Sequence, residues 1–363
     1  MTVERIDASV AGQWRLGDRV VNRMGFGSMR LTVRDDRELA VRVLRRAVEL
    51  GVDHIDTAAF YFSPGGILDG EAGAVRYAAE LIRDGLRPYP QGLFIATKVG
   101  PDRLPDGSWG EAVTAERLRH QVEENLRRLG VDTLDLVNLR IVRPAGPEEI
   151  AERFGILAEM RAEGLIRNLG LSNVHWEHVD VARRIAPVVC VQNAFAVDLL
   201  RHFDLLRKCG AEGIAFVPFF TIAGATRESG PPPRAAIEAS TAHKPSTAGD
   251  PSMPRKAEAP RKTEMAREAE TRRKTEAAGK TEAARAAEAG REAETGWEAG
   301  PEWRIAAARG VTGHQVRLAW TLQQGDHVLA IPGTGDVAHL EANVAAGALR
   351  LTAEEMAEMD QRR

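Results

Sequence analysis

Along most of this chain, short apolar runs alternate with longer stretches whose apolar residues recur at helical spacing. The runs Asp53 to Asp56, Leu93 to Lys98, Leu134 to Arg140, Ile166 to Leu171, Val188 to Gln192, Ile214 to Val217 and Val328 to Ile331 predict strands. Between the first strand positions, Asp35 is the expected cap of a helix, with Glu38 three residues on. Ala40, Val43, Leu44, Ala47 and Val48 form its apolar face, and Gly51 stops it. A second helix is expected to start at Thr114, bury Leu118, Val122, Leu126 and Leu129, and end at Gly130. Near-continuous apolar strands separated by amphipathic helices imply a parallel sheet covered by helices. About eight such units predict an α/β fold of the closed (β/α)8 TIM-barrel type rather than an open sheet. Ahead of them, Trp14-Arg15-Leu16 and Arg19-Val20-Val21 flank Gly17-Asp18, which predicts a β-hairpin with a glycine-first turn.

One stretch breaks the pattern. From about 227 to 300 the chain turns Pro-rich, then rich in Ala, Glu, Lys, Arg and Thr; Lys-Thr-Glu starts at 262, 274 and 280, and Arg-Glu-Ala-Glu-Thr at 267 and 291. With few large apolar residues it cannot bury a core, so it is expected to be a disordered or solvated-helix insertion after the seventh strand of a single barrel spanning 1–363. It is a surface insertion or, alternatively, a docking segment for a protein partner. The 363 residues fit a barrel of about 250 residues plus such an insertion. A formal net charge of -3 gives no reason to expect nucleic acid or an anionic membrane as partner. Cys190 and Cys209 are too few for a disulfide framework, no metal site is expected, and the N-terminus has no apolar signal region. A cytoplasmic setting is the expectation.

Chemistry gathers at the strand ends. Asp56 ends one strand, Tyr61 lies in the loop beyond it, and Lys98 ends the next strand. Singly, the Lys is a solvated side chain, the Asp a helix cap and the Tyr a packing residue. Together, at the C-terminal ends of adjacent barrel strands, they stand where barrel enzymes carry their chemistry. A tyrosine hydroxyl, with a pKa near ~10, is a weak acid at neutral pH. An ammonium beside it favours the phenolate, and a paired Asp keeps that ammonium charged.

His54-Ile55-Asp56-Thr57-Ala58-Ala59-Phe60-Tyr61, followed by Ala96-Thr97-Lys98, resembles the signature of the aldo-keto reductase family. Gly170-Leu171-Ser172-Asn173 is similar to the family's segment that holds the nicotinamide carboxamide, and Gln192 to the glutamine that joins it. Phe216 falls where the family has an aromatic ring stacked on the nicotinamide. Gly27, Ser28 and Met29 match the first-strand turn beside the cofactor. Gly333, Thr334, Gly335, His339 and Asn343 match the last-strand motif for the adenosine 2′-phosphate and adenine, a Gly-rich turn into a helix suited to phosphate. The resemblance covers about 14–226 and 302–350. It implies a reductase that moves hydride from NADPH to an aldehyde or ketone, with Tyr61 as proton donor.

The sequence departs from that pattern in places. Arg140 stands where the family has a catalytic His, and it is expected to polarise the substrate carbonyl or bind an acidic or phenolic group, helped by Asn138. Ala342 replaces a Glu before Asn343, and His339 replaces an Arg near the 2′-phosphate. Phe62 to Gly73 forms an extra, Gly- and Pro-containing loop beside Tyr61, expected to be flexible and to shape the substrate pocket. The alternatives are an NADPH-binding sensor with weak turnover, resembling potassium-channel β subunits, and a scaffold centred on the insertion.

Overall fold

The computed structural model describes residues 6–104, 108–224 and 300–361. The chain divides into two compact units, Met1–Ser229 with Ile305–Arg363, and Gly230–Arg304. The expected insertion at 227–300 lies outside the described residues except for its last position.

The first unit opens with an antiparallel hairpin, β1 (Gln13–Leu16) and β2 (Arg19–Asn22), in which Leu16 faces Arg19 across the turn. Gly17 has φ +65 there, and a Cβ on it would sit 2.3 Å from the Asn168 side chain, so the turn accepts only glycine. The barrel strands follow as β3 (Phe26–Gly27), β4 (His54–Asp56), β7 (Phe94–Val99), β10 (Leu134–Arg140), β11 (Ile166–Ser172), β12 (Val188–Gln192) and β13 (Ala215–Phe216). Two short hairpins lie between them: β5 (Phe62–Ser63) with β6 (Arg76–Tyr77), and β8 (Pro101–Arg103) with β9 (Trp109–Glu111). The seven barrel strands pair in parallel in the order β13-β12-β11-β10-β7-β4-β3. The expected eighth strand is reduced to bridges, Phe216 with Val328 and Met24 with Ala330, which join the two edges of the sheet.

Helices α1 (Arg37–Glu49), α2 (Ala78–Leu86), α3 (Ala115–Leu129), α4 (Pro147–Ala162), α5 (Trp176–Arg183) and α6 (Phe203–Ala211) alternate with the strands. They are followed by α7 (Pro301–Arg309), α8 (Gly313–Leu322), α9 (Val337–Ala345) and α10 (Ala353–Asp360). Thr114 caps α3 by accepting from the Arg117 amide, and Gly130 ends it in the left-handed region, as the sequence suggests. The cap of α1 is Asp36, which accepts from the Leu39 amide, rather than the expected Asp35. The Asp35 carboxylate is instead 3.1 Å from the Arg76 guanidinium.

Strand alternation sorts the residues into two layers. Phe94, Ala96, Leu136, Cys190, Ala215, Val217 and Leu329 pack with Leu16 and Val21 of the hairpin, so β1 and β2 plug the lumen. Their neighbours Ile55, Ile95, Val137, Leu139, Leu171, Val191 and Phe216 face the helices. Both cysteines are free and buried, and burial pushes the Cys209 thiol up to about 12. Among the described residues no helix is long and apolar enough to cross a membrane.

Candidate active site

The lumen-facing alternation that places Phe94 and Ala96 in the apolar plug places Lys98 at the next inward position. Asp56 is the last residue of β4, and Ser172 and Gln192 are the last residues of β11 and β12. Apolar side chains therefore fill the bottom of the lumen and polar ones its C-terminal mouth.

Lys98 organises that mouth. Its ammonium donates to both Asp56 carboxylate oxygens at 2.8 and 2.7 Å, to the Thr57 carbonyl at 2.9 Å and to the Tyr61 hydroxyl at 2.9 Å. Burial would lower the ammonium, but Asp56 and Tyr61 outweigh it and hold Lys98 above its ordinary value. Gln192 donates to Asp56 Oδ1 at 2.9 Å from the opposite side of the barrel. For Tyr61 the balance differs from the sequence expectation. Lys98 and Arg140 pull the phenol down, but burial is the larger effect and leaves it above its ordinary value. The hydroxyl is thus protonated at neutral pH, and the two cations stabilise the phenolate once a proton has left.

Arg140 and Ser172 share a rung between β10 and β11, and the guanidinium donates to Ser172 Oγ at 3.1 Å. The guanidinium also lies 4.7 Å from the centre of the Phe219 ring. Burial lowers it from the ordinary arginine value, while Tyr61 and Asp56 act in the other direction. Arg140 therefore faces the Tyr61–Lys98–Asp56 group rather than an acid at the barrel rim. The sequence does not reveal the contacts of Thr57 or Ser172 with the two cations, because they depend on strand register.

One expected site residue is misplaced. Phe216 is 0% exposed, points to the helix layer and meets Phe195 edge to face at 6.0 Å. Its neighbours Ala215 and Val217, on either side of it, belong to the lumen cluster, so the Phe216 ring is turned away from the mouth. The aromatic that reaches Arg140 is Phe219, three residues on, paired edge to face with Phe220 at 4.8 Å. The signal was present: a ring serving the mouth must follow the end of the strand, not sit within it. We expect Phe216→Ala to cost about 3–5 kcal/mol of stability and leave ligand affinity at the mouth unchanged. Phe219→Ala is expected to do the reverse, with thermal unfolding and ligand titration as the two readouts.

The remaining expected positions follow the first and last barrel strands. Gly27 and Gly333 cross closely: a Cβ on Gly27 would lie 2.7 Å from the Ile331 carbonyl oxygen, and one on Gly333 would lie 2.6 Å from the Gly27 oxygen. Ser28 is buried and Met29 half-buried just beyond. Thr334 Oγ1 accepts from the Asp336 amide, and Asp336 caps α9 by accepting from the His339 amide. Gly335 precedes this cap. His339 is exposed, 4.0 Å from Asp336, whereas Asn343 is buried on the same helix. Asn173 sits in the left-handed region at φ 61, and its side chain donates to the Ile141 carbonyl. Among the described residues, the buried Gln192 Oε1 and Ser28 Oγ have no hydrogen-bond partner. They call for ligand groups with hydrogens to share.

The segment after Tyr61 is held more firmly than its glycines suggest. Ser63 Oγ donates to the Leu68 carbonyl and meets Thr32 Oγ1 at 3.0 Å. Arg76 donates to the carbonyls of Thr32 and Glu71. These polar anchors, buried at Ser63 and more exposed at Arg76, staple the β5–β6 hairpin to the turn after β3.

A sequence model described as "Aldo/keto reductase family" matches residues 23–363. Pyridoxine 4-dehydrogenase of Escherichia coli K12 is 33% identical over 355 residues, which cover 95% of this chain and 96% of that protein. An uncharacterized oxidoreductase of Schizosaccharomyces pombe is 31% identical, over 98% of this chain and 91% of that one. Among solved structures, glycerol dehydrogenase of Gluconobacter oxydans superimposes with a TM-score of 0.67 at 20% identity, over 97% of this chain and 95% of its own. An aldo-keto reductase of Klebsiella pneumoniae in complex with NADPH gives 0.64 at 22% identity, over 96% and 94%. With Asp56, Tyr61 and Lys98 joined at the mouth of a parallel barrel, and a family model spanning nearly all of the sequence, the chain belongs to the aldo/keto reductase family.

Proposed function

We propose that this oxidoreductase reduces an aldehyde or ketone to the alcohol with NADPH, and that Tyr61 is the proton donor. The observation that carries the reading is the 2.9 Å hydrogen bond from the Lys98 ammonium to the Tyr61 hydroxyl, with Lys98 fixed on Asp56. A pyridoxal-like aldehyde is the first substrate to try, given the name of the Escherichia coli relative.

The site fits a nicotinamide dinucleotide. The free Gln192 Oε1 can accept from a carboxamide NH2 group, with Ser172 and Asn173 beside it. Gly27 and Gly333 let the first and last strands cross backbone against backbone, and the turn through Thr334 and Gly335 leads into the N-terminus of α9, which suits a pyrophosphate. Asn343 and His339 would then meet the adenosine end. When bound, reduced nicotinamide supplies the hydride. Phe219, beside Arg140, is the aromatic side chain placed to stack on that ring.

The residues of the chain handle the proton and the charge. Tyr61 donates its hydroxyl proton to the carbonyl oxygen as that oxygen becomes an alkoxide. Lys98 then holds the phenolate, and Asp56 keeps Lys98 charged throughout. Arg140 adds a second positive charge that favours the phenolate electrostatically. We further propose one barrel interrupted by the insertion at 227–300, which acts as a solvated spacer or a docking segment for a protein partner. A screen of aldehydes and ketones for NADPH oxidation tests the reading. Loss of NADPH absorbance with at least one carbonyl is expected, and tight cofactor binding without turnover on any of them would favour a sensor instead.

A further inference from the structure

Arg140 carries five N–H donors in a flat fork. Among the described residues, one hydrogen bond from this fork is recorded, to Ser172 Oγ, and no carboxylate forms an ion pair with it. The nearby carboxylate, Asp56, is already engaged by Lys98 and Gln192. The guanidinium carbon lies 4.7 Å from the centre of the Phe219 ring, and among the described residues its other N–H groups have no hydrogen-bond partner, which leaves them for a ligand. Arg140 is half-buried at the mouth and senses both Tyr61 and Asp56. A neutral carbonyl oxygen would use little of this fork. An arginine held against an aromatic ring without an anionic partner is short of negative charge, and its planar geometry suits two adjacent oxygens.

We propose that Arg140 selects carbonyl substrates bearing an anionic oxygen next to the reacting group, with one N–H on the carbonyl oxygen and another on its neighbour. The class comprises 2-hydroxyaryl aldehydes, bound as phenolates, and 2-oxo acids. This proposal rests on the reductase reading above and narrows its substrate class. The chemistry is an ordinary two-electron reduction. The carbonyl carbon gains the hydride of NADPH, which becomes NADP; the carbonyl oxygen gains the Tyr61 proton; the neighbouring oxygen keeps its negative charge on Arg140.

The test is a panel of benzaldehyde, 2-hydroxybenzaldehyde, 2-methoxybenzaldehyde and 4-hydroxybenzaldehyde, assayed with the full-length protein and NADPH. For the unsubstituted protein, kcat/KM for the 2-hydroxy compound is expected to exceed those of the 2-methoxy and 4-hydroxy compounds by about 10- to 100-fold, the range for a charge-assisted hydrogen bond. In Arg140→Gln the same ratios should collapse toward unity, which also removes the intrinsic reactivity of the ortho oxygen from the comparison. If the variant is too slow to assay, dissociation constants of 2-hydroxybenzoate and benzoate on the NADP complexes of both proteins give the corresponding ratio. An absent ortho preference, or one that survives Arg140→Gln, overturns the proposal while leaving the reductase reading intact. Failure of every aldehyde and ketone to oxidise NADPH overturns both.

Discussion

Tyr61→Phe should lower kcat for carbonyl reduction by about a hundred- to ten-thousand-fold, the usual contribution of a positioned general acid. Only the hydroxyl is removed, so the ring keeps its edge-to-face contact with Phe60 at 5.3 Å and the fold should be unchanged. NADPH affinity should stay the same, because Tyr61 is assigned no contact with the dinucleotide. The pH profile of the unsubstituted protein offers a second check. A donor must be protonated to act, and burial holds the Tyr61 phenol above its ordinary value. Reduction is therefore expected to be flat in Tyr61's contribution through neutral and mildly alkaline pH, and to fall only as pH rises past the ordinary tyrosine range. A loss of rate around neutrality that disappears in Tyr61→Phe would contradict this order of effects.

The second large effect concerns Lys98. Its ammonium is buried, 2% exposed, and bonded at once to Asp56, Thr57 and Tyr61. Lys98→Met leaves the Asp56 carboxylate in the lumen with Gln192 as its remaining side-chain donor. Removing one partner of such a buried pair costs about 3–5 kcal/mol, so a clear drop in the unfolding midpoint is expected along with loss of turnover. Asp56→Asn combined with Lys98→Met removes both charges and should recover most of the stability without recovering activity. That combination separates the structural share of the pair from its chemical share. If the double variant is as unstable as the single one, the cost lies in packing rather than in the unpaired charge.

Much of this could be read from the sequence, and the misses share a physical cause. β10 and β12 begin and end where their apolar runs do, because strands buried on both sides leave no ambiguity of pattern. Asp56, Tyr61 and Lys98 were legible because strand ends and motif spacing together specify one end of a barrel. Asp35 and Asp36 are chemically equivalent as caps; what separates them is Arg76, far along the chain on the β5–β6 hairpin, which pairs with Asp35. Phe216 and Phe219 fail the same way. Both are aromatic residues near the end of β13, and only the inward direction of Ala215 and Val217 shows that Phe216 must point outward. The anchors of Ser63 and Arg76 were hidden because buried polar contacts of a loop leave no periodicity.

The central claim is that Tyr61, set by Lys98 and Asp56, donates a proton during hydride transfer to a carbonyl. Single-turnover oxidation of protein-bound NADPH by an aldehyde, followed by absorbance for the unsubstituted protein and for Tyr61→Phe at equal cofactor occupancy, tests it most directly. The account predicts rapid loss of the reduced-cofactor signal in the former and a rate at least about a hundredfold lower in the latter. Equal rates in the two proteins would contradict it.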